Sequence, residues 1–243
     1  MKKVLLSLAM LSIISTPVLA KTPVANLKIN GDIKPPTCTI NGGDADLVYN
    51  LENISPSVIP NDMTYNQLPS ISNTLTVTCD TSTFLTFRAT DGYPNSFIQT
   101  PDMNINFRAH AFNLVDSADT SKTVGGITYR WKDVTVDGKD AYLSRANDGD
   151  SGYDNGKWSN ESQIVKGATI GWTAEQQQYV SPDKLNLLSG KAFKATFYNE
   201  NKIVYNVALT YLHSKKMLTE DGTDLTMGLD YTGQVILTFN FGV

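Results

Sequence analysis

The last thirteen residues of the chain alternate between apolar and polar side chains with a period of two. This is the period of a β-strand that buries one face. No Lys or Pro interrupts the segment, although such residues usually keep an edge strand from pairing with another chain. A long terminal strand of this kind requires a sheet to pack on. Its larger apolar residues on one face are Tyr231, Val235, Leu237, Phe239, Phe241 and Val243.

The rest of the chain also favours strands over helices. Alternation recurs from Leu27 to Ile33 and from Leu75 to Cys79, and residues 47–51 predict another short strand. Thr173 to Leu188 is the best helix candidate, although Pro182 limits it to short pieces. Residues 137–160 are rich in Gly, Asp, Asn and Ser and predict a long exposed loop, with a short hairpin around Tyr142 as an alternative for its first part. We therefore predict an all-β sandwich with at most short helices.

The first twenty residues have the order of a secretory signal peptide. Lys2 and Lys3 precede an apolar stretch from Val4 to Ile14, and Ala20 follows at a position suited to a signal peptidase. The stretch is shorter than the roughly 20 apolar residues of a membrane span. We expect residues 1–20 to be removed and the mature chain, 21–243, to be exported without a membrane span. It would then fold in an oxidising compartment outside the cytoplasm.

Cys38 and Cys79 are the only cysteines of the chain. They lack the spacing of a metal-binding pair and have no neighbouring histidine. In an exported protein two cysteines indicate one disulfide bond. Closing a loop of about 40 residues would stabilise the fold by roughly 4 kcal/mol in the chain-entropy account.

Composition and motifs argue against several classes of function. The chain has 24 acidic and 20 basic residues and no extended basic patch, so we do not expect nucleic-acid binding. A Gly-Asp-Ser-Gly motif at 149–152 follows His110 too closely for a two-barrel serine protease. The acidic loop around Asp148 lacks the Gly and Glu of a calcium-binding EF-hand. We expect no enzymatic activity, no metal site and no cofactor.

Several short motifs resemble the pilins of the bacterial chaperone–usher pathway. The closer resemblance is to a group of enterobacterial periplasmic proteins encoded near fimbrial genes. It covers most of the mature chain and is strongest at the two ends. The motifs are the strand from Leu27 to Cys38, the second cysteine in Leu75–Cys79, Ala111–Leu114 followed by Gly125-Gly126, and Leu229-Asp230 before the terminal strand.

This resemblance implies an incomplete immunoglobulin-like sandwich that lacks its last strand, with an insertion around residues 116–190 of the single domain. In that family a periplasmic chaperone lends a strand, and in the fibre the N-terminal extension of the next subunit replaces it. The partners expected from the resemblance are therefore a periplasmic chaperone and other fimbrial subunits. The location that it implies is the periplasm or a fimbrium at the cell surface. The groove or chaperone contacts would be Val235, Leu237, Phe239 and Phe241, and the donated residues Val24, Leu27 and Ile29.

Two other functions fit the same sequence. The loop 137–160, flanked by Trp131 and Trp158, would suit a glycan- or receptor-binding module, and Trp172 is a third candidate for stacking on a sugar ring. Alternatively, the chain closes its own sheet and is a periplasmic protein of another function. A fimbrial subunit or fimbria-associated protein remains the first prediction.

Overall fold

The described part of the chain is built mainly from strands. A computed structural model describes residues 32–98, 105–150, 162–201, 203–204, 207–226 and 228–242. The strands in these ranges are β1 (Cys38–Ile40), β2 (Ser72–Asp91), β3 (Phe112–Asp116), β4 (Thr123–Ile127), β5 (Tyr129–Val136), β6 (Lys139–Asp140), β7 (Tyr142–Ala146), β8 (Ile170–Thr173), β9 (Gln178–Val180), β10 (Ser189–Asn199), β11 (Ile203–Val204), β12 (Val207–Ala208), β13 (Thr210–Leu212), β14 (Tyr231–Thr232) and β15 (Val235–Phe241). The helical elements are one α-helix, α1 (Lys215–Glu220), and the 3-10 helices Asn41–Gly43, Pro56–Val58, Ile105–Ala109 and Pro182–Lys184.

The longest strand, β2, has different partners in its two halves. Its first half lies between β1 and β10, and its second half lies between β15 and β8. The first sheet has the strand order β6-β5-β10-β2-β8-β7-β9, and β1 and β15 each pair with β2 as well. A second sheet has the order β13-β4-β3-β14, and the two sheets form a sandwich-like arrangement. The all-β prediction is confirmed.

Aromatic side chains from β2, β8 and β10 fill the centre of the core. Phe87 packs against Trp172 and Phe197 with ring centroids 5.8 and 5.9 Å apart, and Trp172 packs against Phe193 at 5.5 Å. All four rings are buried. The indole nitrogen of Trp172 donates a hydrogen bond to the carbonyl of Lys194 at 3.1 Å, so its polar atom is satisfied. Each buried ring contributes about 1.5–3 kcal/mol.

Cys38 and Cys79 form a disulfide bond. The two cysteines lie directly opposite each other where β1 pairs with β2. The covalent bond thus fixes the short strand β1, which has only three residues, to the long strand β2. The predicted disulfide is present.

Of the helix candidate from Thr173 to Leu188, only the short 3-10 helix Pro182–Lys184 forms. The described segment contains the end of β8, strand β9 and a single 3-10 turn. The glutamines of this segment form hydrogen bonds to β7 and not the backbone hydrogen bonds of a helix. The Gln176 side chain donates to the carbonyl of Leu143 at 3.1 Å, and the Gln177 backbone N–H donates to the Ser144 hydroxyl at 2.8 Å.

The prediction of a loop at 137–160 is wrong in its first part, where strands form on both sides of Ala141, near the hairpin left open at Tyr142. β6 pairs with β5, whereas β7 pairs with β8 and β9. Residues 139–146 form β6 and β7, and Leu143 to Ala146 are buried because β7 lies between β8 and β9. Residues 151–161 lie outside the described residues. The α-helix that does form, α1, begins after Ser214, whose hydroxyl accepts a hydrogen bond from the Met217 N–H at 3.2 Å.

The chain divides into two units, Met1–Pro35 and Pro36–Val243. Of the first unit only residues 32–35 are described, and they have no regular secondary structure. The predicted signal peptide and the donor-strand candidates Val24, Leu27 and Ile29 lie outside the described residues. None of the helices in the described ranges has the length and hydropathy needed to cross a bilayer.

Candidate functional site

An open groove of about 1490 Å³ lies within the second unit, beside the C-terminal strand. One wall is the segment 45–54, and the other is formed by residues 228–239, which include β14 and most of β15. The floor is part of the apolar core. Its fully or nearly fully buried side chains are Leu75, Leu114, Ile127, Ile164 and Phe197.

The wall formed by residues 45–54 has the alternation of a strand without a strand partner. Leu47, Tyr49 and Leu51 are half-buried, whereas the residues between them are exposed. The described residues give this segment no ladder hydrogen bonds, so the short strand predicted there does not form. Side chains hold the segment instead: the Tyr49 hydroxyl donates to the carbonyl of Phe197 at 3.0 Å, and the Asn73 amide donates to the carbonyl of Val48 at 2.8 Å.

Tyr49 is fixed on its second side by another ring. Its ring contacts that of Tyr129 edge to face, with centroids 5.0 Å apart. Burial raises the pKa of Tyr49 to about 12, so the hydroxyl keeps its proton and remains a donor at neutral pH. The wall is therefore positioned before anything occupies the groove.

The opposite wall is the strand β15, paired along one edge. Its register with β2 runs from Val235 opposite Asp91 to Phe241 opposite Leu85. Among the described residues β15 has no partner on its other edge. Backbone N–H and C=O groups on an open strand edge form a template for a further strand. The edge of β15 that is not paired with β2 therefore offers both hydrogen bonds and apolar contacts.

The structure brings together three of the four residues predicted to line a groove. Val235, Leu237 and Phe239 are half-buried and line the wall that faces Leu47 and Leu51. Phe239 also packs against the core ring of Phe87, with centroids 5.8 Å apart. These side chains form a row with a period of two, as the sequence pattern predicts.

Phe241 does not line the groove. It is 50% exposed and lies beyond the lining residues. The backbone at this end is held by the Gly242 N–H, which donates to the carbonyl of Phe84 at 3.0 Å. The last residue of β15 that lines the groove is therefore Phe239. The assignment of Phe241 as a groove contact differs from its position in the structure.

The segment 45–54 and the residues around Tyr231 line the groove, although the sequence did not predict them as groove residues. The alternation of Leu47, Tyr49 and Leu51 was visible, but it indicated a paired strand rather than the wall of a groove. At one end the Tyr231 hydroxyl donates to the carbonyl of Glu52 at 3.4 Å and links the two walls. No local sequence pattern predicts a contact between residues so far apart in the chain.

The residues proposed for sugar stacking occupy other places. Trp131 and Trp172 are buried in the core, at 5% and 0% exposure, and present no ring face to a ligand. Trp158 lies outside the described residues, as do Ser151 and Gly152 of the Gly-Asp-Ser-Gly motif. Within the described ranges, no three His, Cys, Asp or Glu side chains are placed to hold a metal ion.

A buried ion pair lies where β15 begins. Lys166 Nζ is 3.1 Å from Asp91 Oδ2, and both side chains are almost completely buried. Asp91 also accepts hydrogen bonds from the backbone N–H groups of Tyr93 and Asn113, each at 3.0 Å. Because Asp91 stands opposite Val235, this cluster fixes the start of the groove wall.

Comparison with known proteins adds no relative, because no family model and no curated protein matches the sequence. The function must therefore be inferred from the groove and its residues.

Proposed function

We propose that the protein is a fimbrial subunit or fimbria-associated periplasmic protein that assembles by β-strand complementation. An extended segment of a periplasmic chaperone or a neighbouring subunit would lie in the open groove, alongside β15. The observation that carries the proposal is the edge of β15 that has no partner among the described residues, next to a groove with an apolar floor. Main-chain hydrogen bonds would supply affinity, and alternate side chains would enter the groove.

The dimensions of the groove favour a strand over a small molecule. Its volume of about 1490 Å³ exceeds the roughly 300–1,000 Å³ of ordinary ligand pockets. The seven residues of β15 would lie beside a partner strand of about 23 Å. Apolar side chains at every second position would meet the rows formed by Val235, Leu237 and Phe239 on one wall and by Leu47 and Leu51 on the other.

The free energies of burial, hydrogen bonding and chain ordering favour a partner strand that is already ordered. Burying three apolar side chains would contribute about 5–9 kcal/mol, and each new backbone hydrogen bond about 0.5–1.5 kcal/mol. Ordering seven flexible residues would cost about 7–14 kcal/mol. These amounts are comparable, so a free peptide binds weakly. A strand already ordered in a folded partner avoids most of the cost, which favours a chaperone or subunit as the donor.

The test supplies a donor strand within the same chain. A chain that begins at Lys21 would carry a second copy of residues 21–34 after Val243, joined by a flexible linker, which holds the strand at millimolar effective concentration. We expect the melting temperature to rise by about 5–10 °C, the equivalent of a few kcal/mol for a chain of this size. In the matched control, serine replaces Val24, Leu27 and Ile29 of the added copy, and no rise is expected.

Two variants, one inside the groove and one outside it, test whether the gain in melting temperature depends on the groove. Leu51→Asp places a charge in the groove, and because residue 51 takes part in no ladder the fold should persist while the gain in melting temperature is lost. Phe241→Asp lies beyond the groove and should keep the gain. An unchanged melting temperature in the extended chain would contradict the proposal, whether the groove is already filled by the chain itself or accepts no strand.

A further inference from the structure

The rim of the open groove is strongly acidic. Six charged residues line it among the described residues, and only Lys122 is basic. The Nζ atom of Lys122 already donates to the carbonyl of Gly222 at 2.6 Å, so it is held at the turn rather than over the groove. The acidic residues belong to both walls; they are Asp46, Glu52, Asp116, Asp224 and Asp230.

Two of these carboxylates are kept in place by local turns. Asp116 accepts a hydrogen bond from the Ala118 N–H at 2.8 Å, and Asp224 accepts from the N–H and hydroxyl of Thr226, each at 2.8 Å. The bonds from Thr226 also lower the pKa of Asp224, which stays ionised at neutral pH.

The other three rim carboxylates are not used by the described fold. Asp46, Glu52 and Asp230 are exposed, and their side-chain oxygens accept no hydrogen bond within the described ranges. They stand beside the open groove of about 1490 Å³, whose floor is apolar. Carboxylates at the rim of an interface act on partner choice and association rate more than on the core contacts.

We infer that the open groove selects a positively charged strand of a separate polypeptide, with lysine or arginine between or beside its apolar residues. The inference rests on the proposed function and adds the charge of the partner to it. The rim carries five carboxylates and one lysine, so a partner of complementary charge is positively charged. An acidic strand of the same apolar pattern would be repelled from both walls at once.

Residues 21–34 of the chain itself meet this description. Leu27, Ile29 and Ile33 stand at odd-numbered positions, so an extended strand of this sequence would carry them on one face. Lys21, Lys28 and Lys34 outnumber the single acid Asp32. This segment is therefore a suitable probe for the charge preference, independent of which chain supplies the strand in the cell.

The test uses three versions of the chain that carries residues 21–34 again after Val243. In the added copy the three lysines are kept, replaced by glutamine, or replaced by glutamate. At 50 mM NaCl we expect the gain in melting temperature to decrease in that order, with the glutamate version losing most of it. At 0.5 M NaCl the three versions should converge, because salt screens charges that face water.

A matched pair of protein variants assigns the effect to the rim. Neutralising Asp46, Glu52 and Asp230 to their amides should make the three versions equal. Neutralising three exposed acids elsewhere should leave the order unchanged, although it alters the net charge equally. Those control residues, which are exposed and lie outside the groove, are Asp140, Glu175 and Glu220.

The outcomes separate this inference from the proposed function. Equal gains for all three versions at both salt concentrations would overturn the charge preference and leave strand complementation standing. No gain for any version would overturn the proposed function itself. An order that persists in the rim variant would show that the preference comes from overall charge, which also overturns the inference.

Discussion

Replacing Asp91 with asparagine should leave Lys166 as an uncompensated charge in the core. The Nζ and Oδ2 atoms are 3.1 Å apart, and the side chains of Lys166 and Asp91 are 10% and 2% exposed. Burial lowers the pKa of Lys166, and the charge of Asp91 offsets part of that effect. Asparagine keeps an oxygen for the N–H of Tyr93 or Asn113, so the variant removes mainly the charge.

Breaking a buried ion pair from one side costs about 3–5 kcal/mol. For a domain of about 200 residues this corresponds to a fall in melting temperature of roughly 10 °C. With a urea slope of about 2–3 kcal/mol/M the unfolding midpoint should fall by about 1.5 M. Urea unfolding followed by tryptophan fluorescence measures this directly, because Trp131 and Trp172 are buried.

The chain contains a natural control for this measurement. Lys184 and Asp183 form an ion pair at 3.4 Å with side chains 73% and 65% exposed. Asp183→Asn should lower the stability far less than Asp91→Asn, since water solvates both charges of the exposed pair. The double variant Asp91→Asn with Lys166→Met should recover much of the loss, because no unpaired charge remains. If Asp91→Asn costs no more than Asp183→Asn, the buried charge is not what holds this corner together.

Three further perturbations test the packing, a buried titratable group and the disulfide. Gly125→Ala would put a Cβ 2.1 Å from the carbonyl oxygen of Tyr211 on the paired strand β13, so we expect a loss of about 2–4 kcal/mol in urea unfolding; a loss below about 1 kcal/mol would refute the clash. Burial lowers the pKa of His213 to about 4, whereas an unfolded histidine titrates near 6.5. The unfolded state therefore binds more protons, so stability should fall as the pH drops below about 6.5, by about 2 kcal/mol between pH 8 and pH 5. In the variant His213→Phe the stability should fall less between pH 8 and pH 5. If the variant shows the same pH profile as the original protein, other groups cause the decrease. Replacing Cys38 and Cys79 together with serine should lower stability by about 4 kcal/mol, and equal stability of the oxidised protein and this variant would show that the bond constrains little.

Sequence alone predicted the features that depend on local pattern. The period-two alternation from Val235 to Phe239 is a property of neighbouring residues, and it correctly placed three side chains on one face of a strand. The disulfide between Cys38 and Cys79 followed from their being the only cysteines in a chain with a secretory signal pattern. The all-β class followed from the repeated alternation and the scarcity of helix signals.

The errors arose where the partner of a segment decided its structure. Residues 139–146 are polar enough for a loop, yet they form strands because β5, β8 and β9 supply their hydrogen bonds. The glutamines after Thr173 suit a helix, but the backbone and side chains of β7 take their hydrogen bonds instead.

The groove itself was decided by tertiary structure. Phe239 and Phe241 have the same side chain and occupy alternate positions in β15, but only Phe239 lines the groove. Leu47 and Leu51 lie far from β15 in sequence, and only the folding of both onto one core forms the two walls of the groove. Alternation fixes which way a side chain points within its strand, because that depends on the backbone alone. Which residues it faces depends on long-range pairing, which the local sequence does not encode.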